Sequence, residues 1–446
     1  MKKWSLGYAF LKQIVRLAMW LSHRRITVIG LSKIPKDKPL IFAPNHQNAL
    51  MDPLAVLCTN HTQPVWLARA DIFKLRMTRP ILRFLKILPV YRIRDGKENL
   101  GENEKIFACA IDILEHKKQL ALFQEAGHSG KRQMLAPKKA IPRIAFLAEE
   151  KNDFRLNLQI VPVGIYYSHY WHFNRELLVN YGAPIEVSTY EEEFKRDPQK
   201  TTLKLRNEIA DRIEVLTINI RSKTHYDNYE LMRKLLGSGF VFKKQQAGSR
   251  AEARFYHDQQ LIKKLEAIEL EEPEQFRRLH QQLDHFRKSL KKLGIKSEQL
   301  DQQRITAGHL AVQSLISLIL LPLVLLAYLL HLVPFFLPRY FIQKKIKHPE
   351  FFSTFQFVAG LLIYPLVAIG LGFAIYFLTG RAMWAVLAPA AYLLLGKPAF
   401  RGLKYLQDLR TDYRLFRFAK KNKSEATRLF DQKAELINKL TTLLNN

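Results

Sequence analysis

"PLIFAPNHQNALMDP", residues 39–53, runs an apolar stretch into Asn45-His46 and reaches Asp52 six positions after the histidine. Leu40 to Ala43 read as a strand, and Pro44-Asn45 ends it. On a regular α-helix a step of six residues turns about 600°, so the two side chains would point to different sides. A contact between His46 and Asp52 therefore requires a strand-to-helix turn, and the sequence supplies one. A carboxylate that holds one ring N–H orients the imidazole and makes it more basic, as a general base needs. The same two residues also suit the polar groups of an ordinary turn, and this stretch alone leaves both readings open.

Around it, residues 25–221 alternate short apolar runs with longer periodic ones. "RITVIG", "PLIFAP", "QPVWLAR", "KILPVYR", "QLALFQE", "LQIVPVGIYYS" and "ELLVNYGAPIEV" read as strands bounded by Pro, Gly, Asn or charged turns. Between them, 99–116, 137–149 and 201–221 carry helical periodicity. This alternation predicts an α/β domain whose largely buried mixed sheet is flanked by helices. A charged helical region follows over 222–305, then a hydrophobic region over 306–400 and a charged helical tail over 401–446.

Further chemistry gathers at the predicted strand ends. "LPVYRIRDG" places Arg92 and Arg94 after the fourth strand, and "LFQEAGHSGKR" places Glu125, Gly127, His128, Ser129, Lys131 and Arg132 after the fifth. "IVPVGIYYS" follows, with Val161, Pro162 and Val163. A base, arginines and a basic Gly-containing turn are the parts needed to hold a phosphate beside a hydroxyl.

These four blocks, in this order, resemble the glycerolipid acyltransferase family, over roughly residues 25–220. The family's usual N-H-x-x-x-x-D gains one residue here. That longer spacing resembles the subgroup acting on glycerol 3-phosphate or dihydroxyacetone phosphate. The family's F-P-E-G-T-R-S block matches at Phe123, Glu125 and Ser129, while Gln124, Ala126 and His128 depart from it. The resemblance implies His46 as general base and Asp52 as its partner. Asn45, Arg92, Arg94, Glu125, Gly127, His128, Ser129, Lys131 and Arg132 would bind the substrate, with Val161-Pro162-Val163 near the acyl donor. It implies transfer of a fatty acyl group from acyl-CoA or an acyl carrier protein thioester to a glycerol-phosphate hydroxyl, without a further cofactor or a metal. Glycerol 3-phosphate is the expected acceptor and lysophosphatidate (1-acylglycerol 3-phosphate) the alternative.

The rest of the chain explains its charge. Seventy Lys and Arg stand against 40 Asp and Glu, a net +30 over 446 residues. Ala311–Leu337 has 27 residues without a charge, and Phe351–Gly380 and Ala382–Gly396 are uncharged as well. About 20 apolar residues span a bilayer, so the first two qualify by length. Arg339, Lys344, Lys345 and Lys347 follow the first run, and Lys397, Arg401 and Lys404 the third. By the positive-inside rule both clusters face the cytoplasm, the last two runs form a hairpin, and the first, interrupted by Pro322 and Pro334, is re-entrant or split. The catalytic domain is then expected on the cytoplasmic side of an integral membrane protein.

Basic residues that track the membrane ends, without a compact interleaving of aromatics, argue for a bilayer partner and against nucleic acid. A non-enzymatic basic membrane-surface protein is the reading from a different class. "GHSGK" lacks the G-x-S-x-G elbow of a serine hydrolase. Two cysteines, Cys58 and Cys109, give neither a disulfide framework nor metal-ligand spacing. Residues 1–24 carry Leu6, Phe10, Leu17 and Leu21 at helical spacing, with Trp4 and Trp20. Lys12 and Arg16 interrupt that apolar stretch. It reads as an interfacial, membrane-dipping helix or as an ordinary first helix packed on the domain.

Overall fold

The computed structural model describes residues 4–74, 76–91, 101–125, 127–237, 249–300 and 305–445. The chain divides into two compact units: residues 1–219 with 346–357, and residues 220–345 with 358–446.

In the first unit, helix α1 (Leu6–Ser22) leads into strand β1 (His23–Ile29). Then come β2 (Leu40–Pro44), helix α2 (Met51–Thr59), β3 (Val65–Arg69), α3 (Thr78–Phe84) and β4 (Ile87–Val90). Helix α4 (Glu102–Glu115), β5 (Gln119–Ala121), α5 (Ala140–Lys151), β6 (Gln159–Tyr167), β7 (Arg175–Tyr181) and β8 (Ile185–Glu186) follow. Helices α6 (Glu191–Arg196) and α7 (Pro198–Val215) complete it.

The strands form one sheet in the order β1-β7-β6-β2-β5-β3-β4, with β8 beside β6. Pairing is parallel throughout except where β7 and β8 lie antiparallel on β6, so the sheet is mixed, as the sequence predicts. All five residues of β2 are buried, as a central strand covered on both faces requires. Ile41 and Ala43 of β2 join Ile111 of α4, Ile144 of α5 and Ile209 of α7 in one core. Phe42 meets Tyr181 of β7 at 6.2 Å between ring centroids.

The stretch read as one strand over 176–187 divides in two, because Gly182 and Pro184 interrupt it. A side chain at Gly182 would come 2.8 Å from Leu216 Cδ1. Helices α2, α3 and α6, of 9, 7 and 6 residues, are too short to show a helical period in the sequence.

Helix α1 turns Lys12 inward, where its ammonium donates to the carbonyls of Asn60 (2.8 Å) and Thr62 (2.7 Å). Leu6, Phe10, Leu17 and Trp20 remain exposed. The charge that interrupts the apolar run in sequence therefore belongs to the packed face.

The second unit is helical in its described residues. Helices α8 (Tyr226–Leu236), α9 (Arg250–Glu271) and α10 (Pro273–Leu293) pack against the last helix, α15 (Lys423–Asn445). Three helical stretches are long and apolar enough to cross a membrane: Ala307–Lys345, Pro349–Thr379 and Ala382–Lys421. In the first, α11 (Ala307–His331) and α12 (Leu337–Lys345) are joined by a π-helical turn at Leu332–Phe336. Instead of breaking at its prolines, the run keeps Pro322 inside α11, and the wider turn accommodates Pro334. Helices α13 (Phe352–Thr379) and α14 (Ala382–Lys421) meet at Gly380, whose φ of 65° turns the chain. Helix α14 continues past the expected boundary at residue 400 as one 40-residue helix.

Candidate active site

The turn after β2 is built by Asp52, which lies in the first turn of α2 and has no exposed surface. One carboxylate oxygen, Oδ2, accepts from the backbone N–H of Gln47 and of Asn48, each at 2.7 Å. The same oxygen lies 3.0 Å from His46 Nδ1. Asp52 thus caps the loop that carries the histidine and holds its ring. With Nδ1 engaged, Nε2 is the nitrogen left to exchange a proton with a substrate. Between the two residues, Ala49 has a φ of 40°, in the left-handed region that few non-glycine residues adopt.

His46 stacks on Phe123 at 3.8 Å and 13°, and His128 meets it edge-on at 5.0 Å. Phe123 leans in turn on Trp66 of β3. Burial and the neighbouring His46 pull the His128 imidazole down to about 4, so it is neutral at physiological pH.

The second turn, over 123–132, is tied to the first. Glu125 accepts from His46 N at 3.0 Å through Oε1 and from Leu135 N at 2.8 Å through Oε2. Burial outweighs these two donors and pushes its carboxyl up to about 8. Ser129 donates to Gln47 Oε1 at 3.1 Å, and Gly130 N donates to Gln47 O at 3.0 Å. Gln124, where the family has proline, donates to the Arg206 carbonyl of α7 at 2.6 Å.

Several expected substrate contacts have other partners in the structure. Asn45 is buried and exchanges both its amide bonds with the Ile165 backbone, donating at 3.2 Å and accepting at 2.7 Å. It extends the β2–β6 ladder. Arg132 is buried too, donating to the Tyr167 and Ser168 carbonyls at 2.8 and 3.1 Å. Lys131, its neighbour, is exposed. Val161, Pro162 and Val163 are buried in β6 beside β2, where Phe42, Ala43 and Pro44 pair with them in register. Gly127 is half-buried in the second turn. Arg92 and Arg94 lie outside the described residues.

One cation near the site was missed in the sequence. Arg69, at the end of β3, is 44 % exposed at its side chain, pairs with Asp71, and bears electrostatically on His128. Its signal was its place at a strand end, the same rule that singles out Arg92.

Away from this site, in the second unit, ligand-type atoms of His225, Glu269 and His280 lie within 4.8 Å of one another. They form a hydrogen-bonded stack, with the imidazoles 3.8 Å apart at 7° and Glu269 engaged by His280 Nε2 (3.1 Å) and the Tyr229 hydroxyl.

Residues 25–166 match the family model described as Acyltransferase. Glycerol-3-phosphate O-acyltransferase 2 of Saccharomyces cerevisiae is 32% identical over 119 residues, which are 26% of this chain and 16% of the yeast protein. The 1-acyl-sn-glycerophosphate (LPA) acyltransferase PlsC of Thermotoga maritima aligns over 46% of this chain and 78% of its own. Its identity is 19% and its TM-score 0.33, a likeness too slight to bear on function. Residues 25–166 are thus similar to an acyltransferase domain, and the chain spans a small part of the length of the yeast relative.

Proposed function

We propose that the chain is a membrane-bound O-acyltransferase that moves a fatty acyl group from a thioester to a hydroxyl of glycerol 3-phosphate. The observation that carries this reading is the 3.0 Å contact between His46 Nδ1 and an Asp52 carboxylate already fixed by two backbone amides. His46 Nε2 takes the proton of the acceptor hydroxyl as its oxygen attacks the thioester carbonyl. Asp52 stabilises the imidazolium, which gives that proton to the departing thiolate when the tetrahedral intermediate collapses. General base catalysis of this kind is worth about 10²–10⁴-fold.

Arg69 and Lys131, with Arg92 and Arg94 as the sequence suggests, supply the cationic charge for the acceptor's phosphate. The name of the yeast relative, a glycerol-3-phosphate O-acyltransferase, supports glycerol 3-phosphate as the acceptor. The three apolar helices and the basic residues at their ends support an integral membrane protein whose catalytic unit faces the cytoplasm.

The test is acyl transfer by membranes carrying the full chain, wild type beside His46→Ala. A palmitoyl thioester of CoA or of acyl carrier protein is offered with glycerol 3-phosphate, dihydroxyacetone phosphate or lysophosphatidate. Transfer to glycerol 3-phosphate, reduced at least about 10²-fold in His46→Ala, is the expected result. Undiminished transfer in the variant reduces His46 to a turn residue. Transfer to lysophosphatidate alone moves the acceptor one step along, and no transfer from either donor favours a non-enzymatic surface protein.

A further inference from the structure

We propose that Phe351, at the start of the apolar helical stretch Pro349–Thr379, is a positioning residue of the active site that holds His46 through His128. The inference rests on His46 being the base.

Residues 346–357 follow α12 in sequence yet belong to the catalytic unit. Polar contacts fasten them there on both sides of the His–Asp turn. Ser353, only 8% exposed, donates to the Tyr170 carbonyl at 2.6 Å and accepts from Arg175 Nη1 at 2.8 Å. The Tyr170 carbonyl also accepts from Asn48 Nδ2 at 3.2 Å, beside the histidine. Thr354 Oγ1 accepts from Leu50 N at 3.2 Å, two residues before Asp52. Glu350 packs where a side chain at Gly130 would meet its Cβ at 3.3 Å.

This anchoring brings the Phe351 ring edge-on to His128, at 4.9 Å and 88°. His128 meets His46 at 5.0 Å and 62°, and His46 stacks on Phe123 at 3.8 Å. Four rings in sequence, Phe123, His46, His128 and Phe351, therefore support the base, and the last comes from a remote part of the chain. The hydrogen bond to Asp52 fixes one atom of the imidazole, and the ring contacts restrain rotation of its plane about that bond.

Phe351 also helps to keep water from His128. The charged and titratable groups facing His128 are His46, Asp52, Glu350 and Arg69. With the phenyl ring removed, His128 becomes better solvated and takes up a proton nearer the ordinary histidine range of about 6.5. An imidazolium next to His46 then opposes the proton transfer that the base must make.

The test uses the full chain in membranes with Phe351→Ala, Phe351→Leu and Phe351→Tyr. In Phe351→Ala, kcat is expected to fall about 10-fold with acceptor KM within about twofold, and to fall further at pH 6 than at pH 8. Phe351→Tyr keeps the ring and restores the rate. A purely structural role would instead scale activity with the amount of folded protein and leave KM and the pH profile unchanged.

Diethylpyrocarbonate labelling, read peptide by peptide, needs no substrate; His128 should react several-fold faster in Phe351→Ala. If that variant does not fold, Phe351→Leu, which keeps the bulk and loses the ring, is read in the same way. Wild-type kcat per folded enzyme with an unchanged pH profile and unchanged labelling overturns the proposal. His46→Ala separates the two failures: retained transfer there removes the base reading itself, whereas a dead His46→Ala beside a normal Phe351→Ala removes this inference alone.

Discussion

The two turns that meet at the site are held in opposite ways. The turn after β2 is closed locally, since Asp52 binds the amides of Gln47 and Asn48 and the ring of His46, all within six residues. The turn over 123–132 is closed by distant partners: Glu125 reaches His46 and Leu135, Gln124 reaches Arg206, and Arg132 reaches the end of β6. A locally closed loop constrains its own residue types, so its motif is recognisable in one short stretch. A loop closed at long range can exchange residues with its partners, and there the family pattern is altered at Gln124, Ala126 and His128.

The largest effect that sharpens this contrast is expected from Asp52→Asn. The amide is nearly the same size but carries no charge to stabilise the imidazolium, and its nitrogen cannot accept from a backbone N–H. Activity should fall about 10²–10⁴-fold in the transfer assay, with stability lowered by about 1–3 kcal/mol in a denaturation series. An Asp52→Asn enzyme with full activity would break the local half of the comparison.

A smaller pair of effects tests the other turn. Arg132→Met strips two carbonyls of their donor and should cost about 1–3 kcal/mol of stability with acceptor KM unchanged. Arg69→Gln should do the reverse, raising acceptor KM about 3–10-fold through loss of a charged contact, with little change in melting temperature. If the two variants exchange phenotypes, Arg132 is the phosphate ligand after all.

The smallest is Ala49→Gly. Glycine adopts the left-handed backbone without penalty, so the variant should match wild type in activity and lose no more than about 0.5 kcal/mol of stability, or gain as much as 1. Ala49→Val should cost about 1–2 kcal/mol, because a β-branched residue adopts this conformation least readily.

Much of this was readable from residue order. The apolar runs at 39–44 and 158–168 became the central strands because continuous burial on both faces demands continuous apolar sequence. His46 and Asp52 were legible because a capping carboxylate works only at short range. What the sequence concealed was direction and distance. Lys12 looks like an interruption until the helix rotates it inward onto two carbonyls. Asn45 and Arg132 look like ligands until their buried carbonyl and amide partners, more than 30 residues away, are seen. Phe351 gave no local signal, since its surroundings read as the start of an apolar run and its contact lies 223 positions away at His128.

Residues 346–357 also set where this chain can be shortened. They include the first residues of the apolar stretch Pro349–Thr379, and Ser353 and Thr354 bond to Tyr170 and Leu50 beside the His–Asp turn. A cut before residue 346 would therefore remove part of the catalytic unit together with the apolar helices.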